Sequence, residues 1–173
     1  MAVLEIRYEG DPVLRQKATK LHKVDESVRK LADEMWETML DANGVGLAAP
    51  QIGLSRRLIV VHVPEDYDEE GDPEYSFRLA NPEIIKRYGE KSGLEGCLSI
   101  PGWVGEVPRA ESVTVKAIGM DNRPIRIKAT GQLAVVLQHE IDHLDGVLYT
   151  DRVIDKSTLR KVSEEEYEEV AED

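Results

Sequence analysis

Between residues 25 and 42 the apolar positions Val28, Leu31, Ala32, Met35, Met39 and Leu40 recur at three- and four-residue spacing, and the run ends at Asn43-Gly44. That spacing predicts an amphipathic helix with a glycine stop. The stretch Leu58–Val63 is β-branched and apolar with little alternation, which predicts a buried strand. The acidic residues from 65 to 74, punctuated by Gly71 and Pro73, predict an exposed loop. Short strands are expected at 78–81 and 103–107, and a hairpin is expected from residues 112–118 and 125–129 around the turn Asp121-Asn122-Arg123-Pro124. From 131 to 144, the residues Leu133, Ala134, Val135, Val136, Leu137, Ile141 and Leu144 cover more than one helical face. A helix of that kind belongs in the core, with Thr130 as N-cap and Gly146 as stop. A last helix is expected from about residue 156, and its end carries seven acids among the final ten residues. Such an end reads as a solvated or frayed face.

A chain of 173 residues suits one hydrophobic core, and no Pro/Ser/Gly-rich linker divides it, so residues 1–173 are read as a single domain with an acidic tail at 164–173. Lys and Arg total 22 against 34 Asp and Glu, a formal charge of −12. That balance disfavours tight binding to nucleic acid or to an anionic membrane. The first eight residues lack the basic start and apolar run of a signal peptide, and there is no run of eighteen apolar residues, so a cytosolic protein is expected. Cys97 is the only cysteine, which rules out an internal disulfide.

The chemistry begins at His139-Glu140-Ile141-Asp142-His143. Two imidazoles at i and i+4 lie on one helical face, about 5–6 Å apart at Cβ, and both can reach one metal ion. Glu140 sits beside them, in a position to serve as general base. The surrounding helix is apolar nearly all round, and burying these groups without partners would cost roughly 1–3 kcal/mol each. Metal coordination supplies the partners. A third ligand is needed, and two sources are open: the downstream acids Asp145, Asp151 and Asp155, or the upstream Cys97 in Leu94-Glu95-Gly96-Cys97-Leu98-Ser99. A thiolate suits zinc or ferrous iron, and Cys plus two His leaves the fourth position free for catalysis. Gly96 lets the backbone approach closely, and Leu98 offers a main-chain N–H to a developing oxyanion. A third segment, Gly44-Val45-Gly46-Leu47-Ala48-Ala49-Pro50-Gln51, combines small residues with an amide donor, though a tight turn after a helix accounts for its glycines equally well.

Together, GVGLAAPQ at 44–51, EGCLS at 95–99 and QHEIDH at 138–143 resemble the three signature motifs of peptide deformylases, in that family's order and approximate spacing. The likeness extends from Gly10-Asp11-Pro12-Val13-Leu14-Arg15 to Gly146-Val147-Leu148. It implies an α+β fold in which mixed or antiparallel strands pack around a central helix bearing both histidines, with N-terminal and C-terminal helices besides. It also implies a hydrolase that removes the N-formyl group from the formyl-methionine of newly made polypeptides and releases formate. Cys97, His139 and His143 then map onto the metal ligands and Glu140 onto the acid/base. Gln51 and the Leu98 N–H map onto the oxyanion donors, and Gly46 onto a backbone contact with substrate. The metal expected from the resemblance is Fe2+, with Zn2+, Ni2+ or Co2+ as substitutes. Val45, Val135 and Val136 are candidates for the methionine pocket. Glu95 is a candidate acceptor for a ligand imidazole, and Arg109 a candidate anchor for a carboxylate.

Some family members carry a basic C-terminal helix associated with the ribosome. The tail here is Glu164-Glu165-Glu166-Tyr167-Glu168-Glu169, which ribosomal RNA would repel, so tail-mediated docking is not expected. Nascent formylated chains are the expected partners and bacterial cytoplasm the expected location. Two rivals stand against this reading. One is a metalloprotease cutting internal bonds. The other is a metal-stabilised binding module, whose closed site would require a fourth ligand, with His22 and His62 the spare histidines.

Overall fold

The computed structural model describes residues 2–163 and 165–166. Asp25 opens the first helix, α1 (Glu26–Asp41), by accepting the Val28 N–H on its carboxylate. Four elements follow as β1 (Gly46–Ala48), β2 (Leu58–Val63), β3 (Tyr75–Tyr88) and β4 (Lys91–Cys97). Then come β5 (Ile100–Arg109), β6 (Ser112–Ile118), β7 (Pro124–Thr130), α2 (Gly131–Leu144), α3 (Tyr149–Arg152) and β8 (Arg160–Lys161). Strands β1, β2, β3, β6 and β7 form a five-stranded sheet in that order, and β4, β5 and β8 form a second sheet of three. Every strand pairing is antiparallel. The architecture is α+β, and among the described residues no helix is long and apolar enough to cross a membrane.

The lack of alternation in β2 has a direct cause. Ile59, Val61 and Val63 pack into the core shared with Leu133, Ala134, Leu137 and Ile141 of α2. Leu58 and Val60 pack on the opposite side with Val28, Ala32, Met35 and Met39 of α1. A strand covered on both faces needs apolar residues at every position. Helix α2 thus lies between the two sheets, buried along most of its length, as its broad apolar surface requires. A third cluster, formed by Leu14, Cys97, Ile100, Val107, Leu148, Tyr149 and Val153, seals the second sheet.

Several boundaries differ from the sequence reading. β3 runs through Pro82 because the ladder shifts register between Ala80 and Glu83, and a bulge tolerates a residue without an N–H. β1 and β4 are glycine-containing edge strands that periodicity does not reveal. Thr130 makes no side-chain cap on α2; the N–H of Gln132 donates instead to Asp68 of the acidic loop, at 2.9 Å. The helix expected from residue 156 is a correction. Residues Lys156–Thr158 make one 3-10 turn, and Arg160–Lys161 pair with Val104 and Trp103 of β5. Leu159 closes the arrangement by packing on the third cluster beside Gly105, so tertiary pairing overrides helical propensity there. Glu165 and Glu166 are helical, while the rest of the acidic tail lies outside the described residues.

Candidate active site and metal centre

Helix α2 presents His139 and His143 one turn apart, and β4 ends at Cys97 opposite them. One donor atom from each of Cys97, His139 and His143 lies within 4.8 Å of the others. Cys97 Sγ is 3.4 Å from His143 Nε2. Tetrahedral bonds of about 2.0–2.3 Å place ligand atoms roughly 3.3–3.8 Å apart; Cys97 and His143 already stand at that separation, and His139 is near enough to join them on one small divalent ion. This resolves the third ligand in favour of Cys97. Asp145 pairs with Arg57, Asp151 pairs with Arg15 and caps Leu148, and Asp155 caps the 3-10 turn. His22 is exposed, and His62 contacts Glu74 at 3.1 Å; neither joins the group.

The electrostatics favour a cation. Burial pushes the His139 pKa down, yet its contacts with Cys97 and Glu95 and the nearby Glu140 carboxylate outweigh that and hold it well above the ordinary value. Surroundings that retain a proton on an imidazole are the surroundings that attract a metal in its place. Burial, with the positive charge on His139, holds His143 well below its ordinary value, in the neutral form that can coordinate.

Behind the ligands lies a network of charged groups. His139 Nδ1 meets Glu95 Oε1 at 2.9 Å. Arg109 donates to both Glu95 oxygens at 2.8 Å, and also to Asp142 Oδ2 at 2.7 Å. Burial opposes the charge on Glu95, but Arg109 and His139 prevail and bring its pKa to about 2. The imidazole orientation, which leaves Nε2 for a metal, is therefore fixed through an ionised carboxylate and a two-pronged guanidinium. Arg152 holds the far side of Asp142, a partner not visible in the sequence.

Glu140 is almost fully buried, and its Oε1 has no hydrogen-bond partner. Burial, with help from Glu95 and Asp142 against His139 and Arg109, pushes its pKa up to about 7. The glycine at 46 explains how that carboxylate fits, because a Cβ there would lie 2.6 Å from Glu140 Oε2. Gln51 is held as firmly. Its Oε1 accepts the Ala48 N–H at 2.9 Å, which turns Nε2 toward Ser99 Oγ at 3.2 Å and Cys97 Sγ at 3.6 Å.

These groups line one cleft. On one side are Gly44, Val45 and Gly46, at and just before edge strand β1; on the other are Leu94 to Leu98 of edge strand β4 and the residue after it; Val135, Val136, His139 and Glu140 form the floor. Residues from all three sequence motifs, Gly44 to Gly46 with Gln51, Glu95 to Leu98, and His139 with Glu140, thus line one cleft, with His143 behind them beside Cys97. An adjoining pocket of about 510 Å³ shares Leu94, Glu95, Gln132 and Val135 with the cleft and adds Val107 and Ala110. Gln132, Leu94 and Val107 were not anticipated, since nothing in their local sequence marks them.

The polypeptide deformylase family model matches residues 3–159. The chain belongs to the peptide deformylase family. A curated peptide deformylase from Thermomicrobium roseum is 60% identical over 172 residues, covering 99% of this chain and 97% of that protein. Among solved structures, the Synechococcus elongatus peptide deformylase in complex with actinonin superposes with a TM-score of 0.80 at 41% identity, over 90% of this chain and 81% of that one. The Met-Ala-Ser-bound class I type b peptide deformylase from Acinetobacter baumannii superposes at 0.82 with 36% identity, over 88% of this chain and 99% of that one. Within this chain, Cys97, His139 and His143 form the group that suits a divalent metal.

Proposed function

We propose a division of labour in this cleft for a metal-dependent hydrolase that removes the N-formyl group from formyl-methionyl polypeptides and releases formate. The chain is such a deformylase by family membership and by 60% identity along nearly its whole length. The observation that carries the assignment of roles is the buried Glu140 carboxylate, whose Oε1 accepts no hydrogen bond and lies 3.9 Å from His143 Nε2, beside a cysteine–histidine–histidine group. Cys97 Sγ and the Nε2 atoms of His139 and His143 would hold the metal, with Fe2+ as the proposed native ion and Zn2+, Ni2+ or Co2+ able to substitute. A divalent ion there supplies a Lewis acid and lowers the pKa of a water.

The chain's own residues do the rest. Glu140 takes the proton of the attacking water at its free oxygen and later delivers it to the departing amine. Gln51 Nε2 and the Leu98 N–H donate to the oxygen that gains charge at the formyl carbon, the Gln51 amide being aimed at the site by the bond its Oε1 accepts from the Ala48 N–H and exchanging its contact with Cys97 Sγ for the substrate oxygen. The edge strands β1 and β4 offer unpaired backbone groups to an extended peptide, with Gly46 as one contact. Val45, Val135 and Val136 would receive the methionine side chain, and the adjoining pocket, which mixes Leu94 and Val135 with polar groups such as Lys91, Glu111 and Gln132, would lie beside it. A net charge of −12 fits nascent polypeptides rather than nucleic acid as partners, and the bacterial relatives support a cytoplasmic setting.

Assaying formyl-Met-Ala-Ser and casein side by side tests the reading against an internal-bond protease. Formate from the first with casein intact is the expected result. Cleavage of casein without formate release would overturn it.

A further inference from the structure

We infer that residues 4–9 form a positioning strap that holds Gln51 at the metal centre, an inference that rests on the oxyanion role proposed for Gln51. Gln51 and Ser99 belong to different halves of the molecule. Gln51 lies in the 3-10 turn Ala49–Ile52 after β1 of the five-stranded sheet, and Ser99 lies in the turn between β4 and β5 of the second sheet. Their side chains meet at the site, Gln51 Nε2 donating to Ser99 Oγ. Their backbones are joined by neither sheet. The Arg7 N–H donates to the Gln51 carbonyl at 2.7 Å, and the Glu9 N–H donates to the Ser99 carbonyl at 2.8 Å.

Donors two residues apart face the same way along an extended chain, so one short segment ties both carbonyls at once. The strap is anchored at its other end, where the Leu4 N–H donates to Thr38 Oγ1 of α1 at 2.8 Å and Leu4 packs against the core around α1. Arg7, Tyr8 and Glu9 are exposed, so the segment contributes little to the core. Its hydrogen bonds fix the separation of the two turns from which Gln51 Nε2 and Ser99 Oγ converge. Displacement of a reacting group by about 1 Å is enough to lower turnover by about a hundredfold.

The donors are backbone groups, so proline removes them and alanine does not. Kinetics on formyl-Met-Ala-Ser with the metal-loaded protein should show kcat lowered about tenfold to a hundredfold in Arg7→Pro and in Glu9→Pro. KM and metal content should be unchanged in both, and Arg7→Ala should retain wild-type kcat. The deciding comparison repeats Arg7→Pro and Glu9→Pro in a Gln51→Ala background. There the added loss should vanish, because the residue being positioned is gone. An equal loss in both backgrounds, or wild-type kcat in both proline variants, overturns the strap and leaves the role of Gln51 intact. Wild-type kcat in Gln51→Ala alone overturns that role and the strap together.

Discussion

Glu140 links the site's chemistry to the stability of the fold, and the link can be measured without turnover. Its carboxyl is moved from an ordinary 4.5 to about 7, chiefly by burial. A raised folded-state pKa means that the folded protein holds this proton more tightly than the unfolded chain. Stability is therefore intact below pH 4.5 and is lost as pH rises through about 7. Each pKa unit is worth about 1.36 kcal/mol. Through Glu140 alone, metal-free wild type should therefore give up about 1 kcal/mol at pH 5 and about 3 kcal/mol by pH 8. Glu140→Gln has nearly the same shape and no charge to bury. Metal-free Glu140→Gln should accordingly match wild type closely at pH 4.5 and exceed it by about 3 kcal/mol at pH 8. For a chain of this size that is a rise in Tm of roughly 6–12 °C. Urea or thermal unfolding of both proteins, with chelator present, across pH 4.5 to 8 provides the measurement. Saturating Zn2+ should shrink the difference, because a cation beside the carboxylate offsets its desolvation. A difference that does not change with pH, or a wild type that is the more stable at pH 8, would refute the reasoning.

Other consequences follow from the same geometry. Arg109→Met leaves Glu95 without its fork and costs Asp142 one of two arginines. Unpairing buried charges of this kind costs about 3–5 kcal/mol, to be read from the urea midpoint, and a loss under about 1 kcal/mol would contradict the network's role. Gly46→Ala forces a methyl against the Glu140 carboxylate, and turnover should fall about a hundredfold while metal content stays at one ion per chain. Unchanged turnover would show that Glu140 is free to move. Asp68→Ala removes the cap on α2 and should cost about 1 kcal/mol, again from chemical denaturation.

How far the sequence revealed this molecule depends on how local each cause is. α1, β2, β6 and α2 were legible because their signals lie within the element: heptad-like spacing, an apolar β-branched run, and a hairpin turn. The His139–His143 pair was legible for the same reason, being set by helical spacing. β4 was not, since Lys91, Ser92, Gly93 and Glu95 carry no alternation, and an edge strand that is largely exposed needs none. The segment after residue 156 was misread because its structure is dictated by β5 and by the space beside Gly105, both distant in sequence. Asp68 capping α2, Arg152 on Asp142 and the contacts of residues 4–9 are likewise long-range. Gly46 was assigned to substrate approach, yet the structure adds a second reason for it, namely room for Glu140.

The central claim is that Glu140 moves the proton in a deformylation carried out at Cys97, His139 and His143. Formate release from formyl-Met-Ala-Ser by anaerobically prepared, iron-loaded protein tests it most directly, run beside Glu140→Ala carrying the same amount of metal. Release by the wild type and its loss in the variant is the predicted result. Equal release by both would contradict the role of Glu140, and no release from a folded, metal-loaded wild type would contradict the account as a whole.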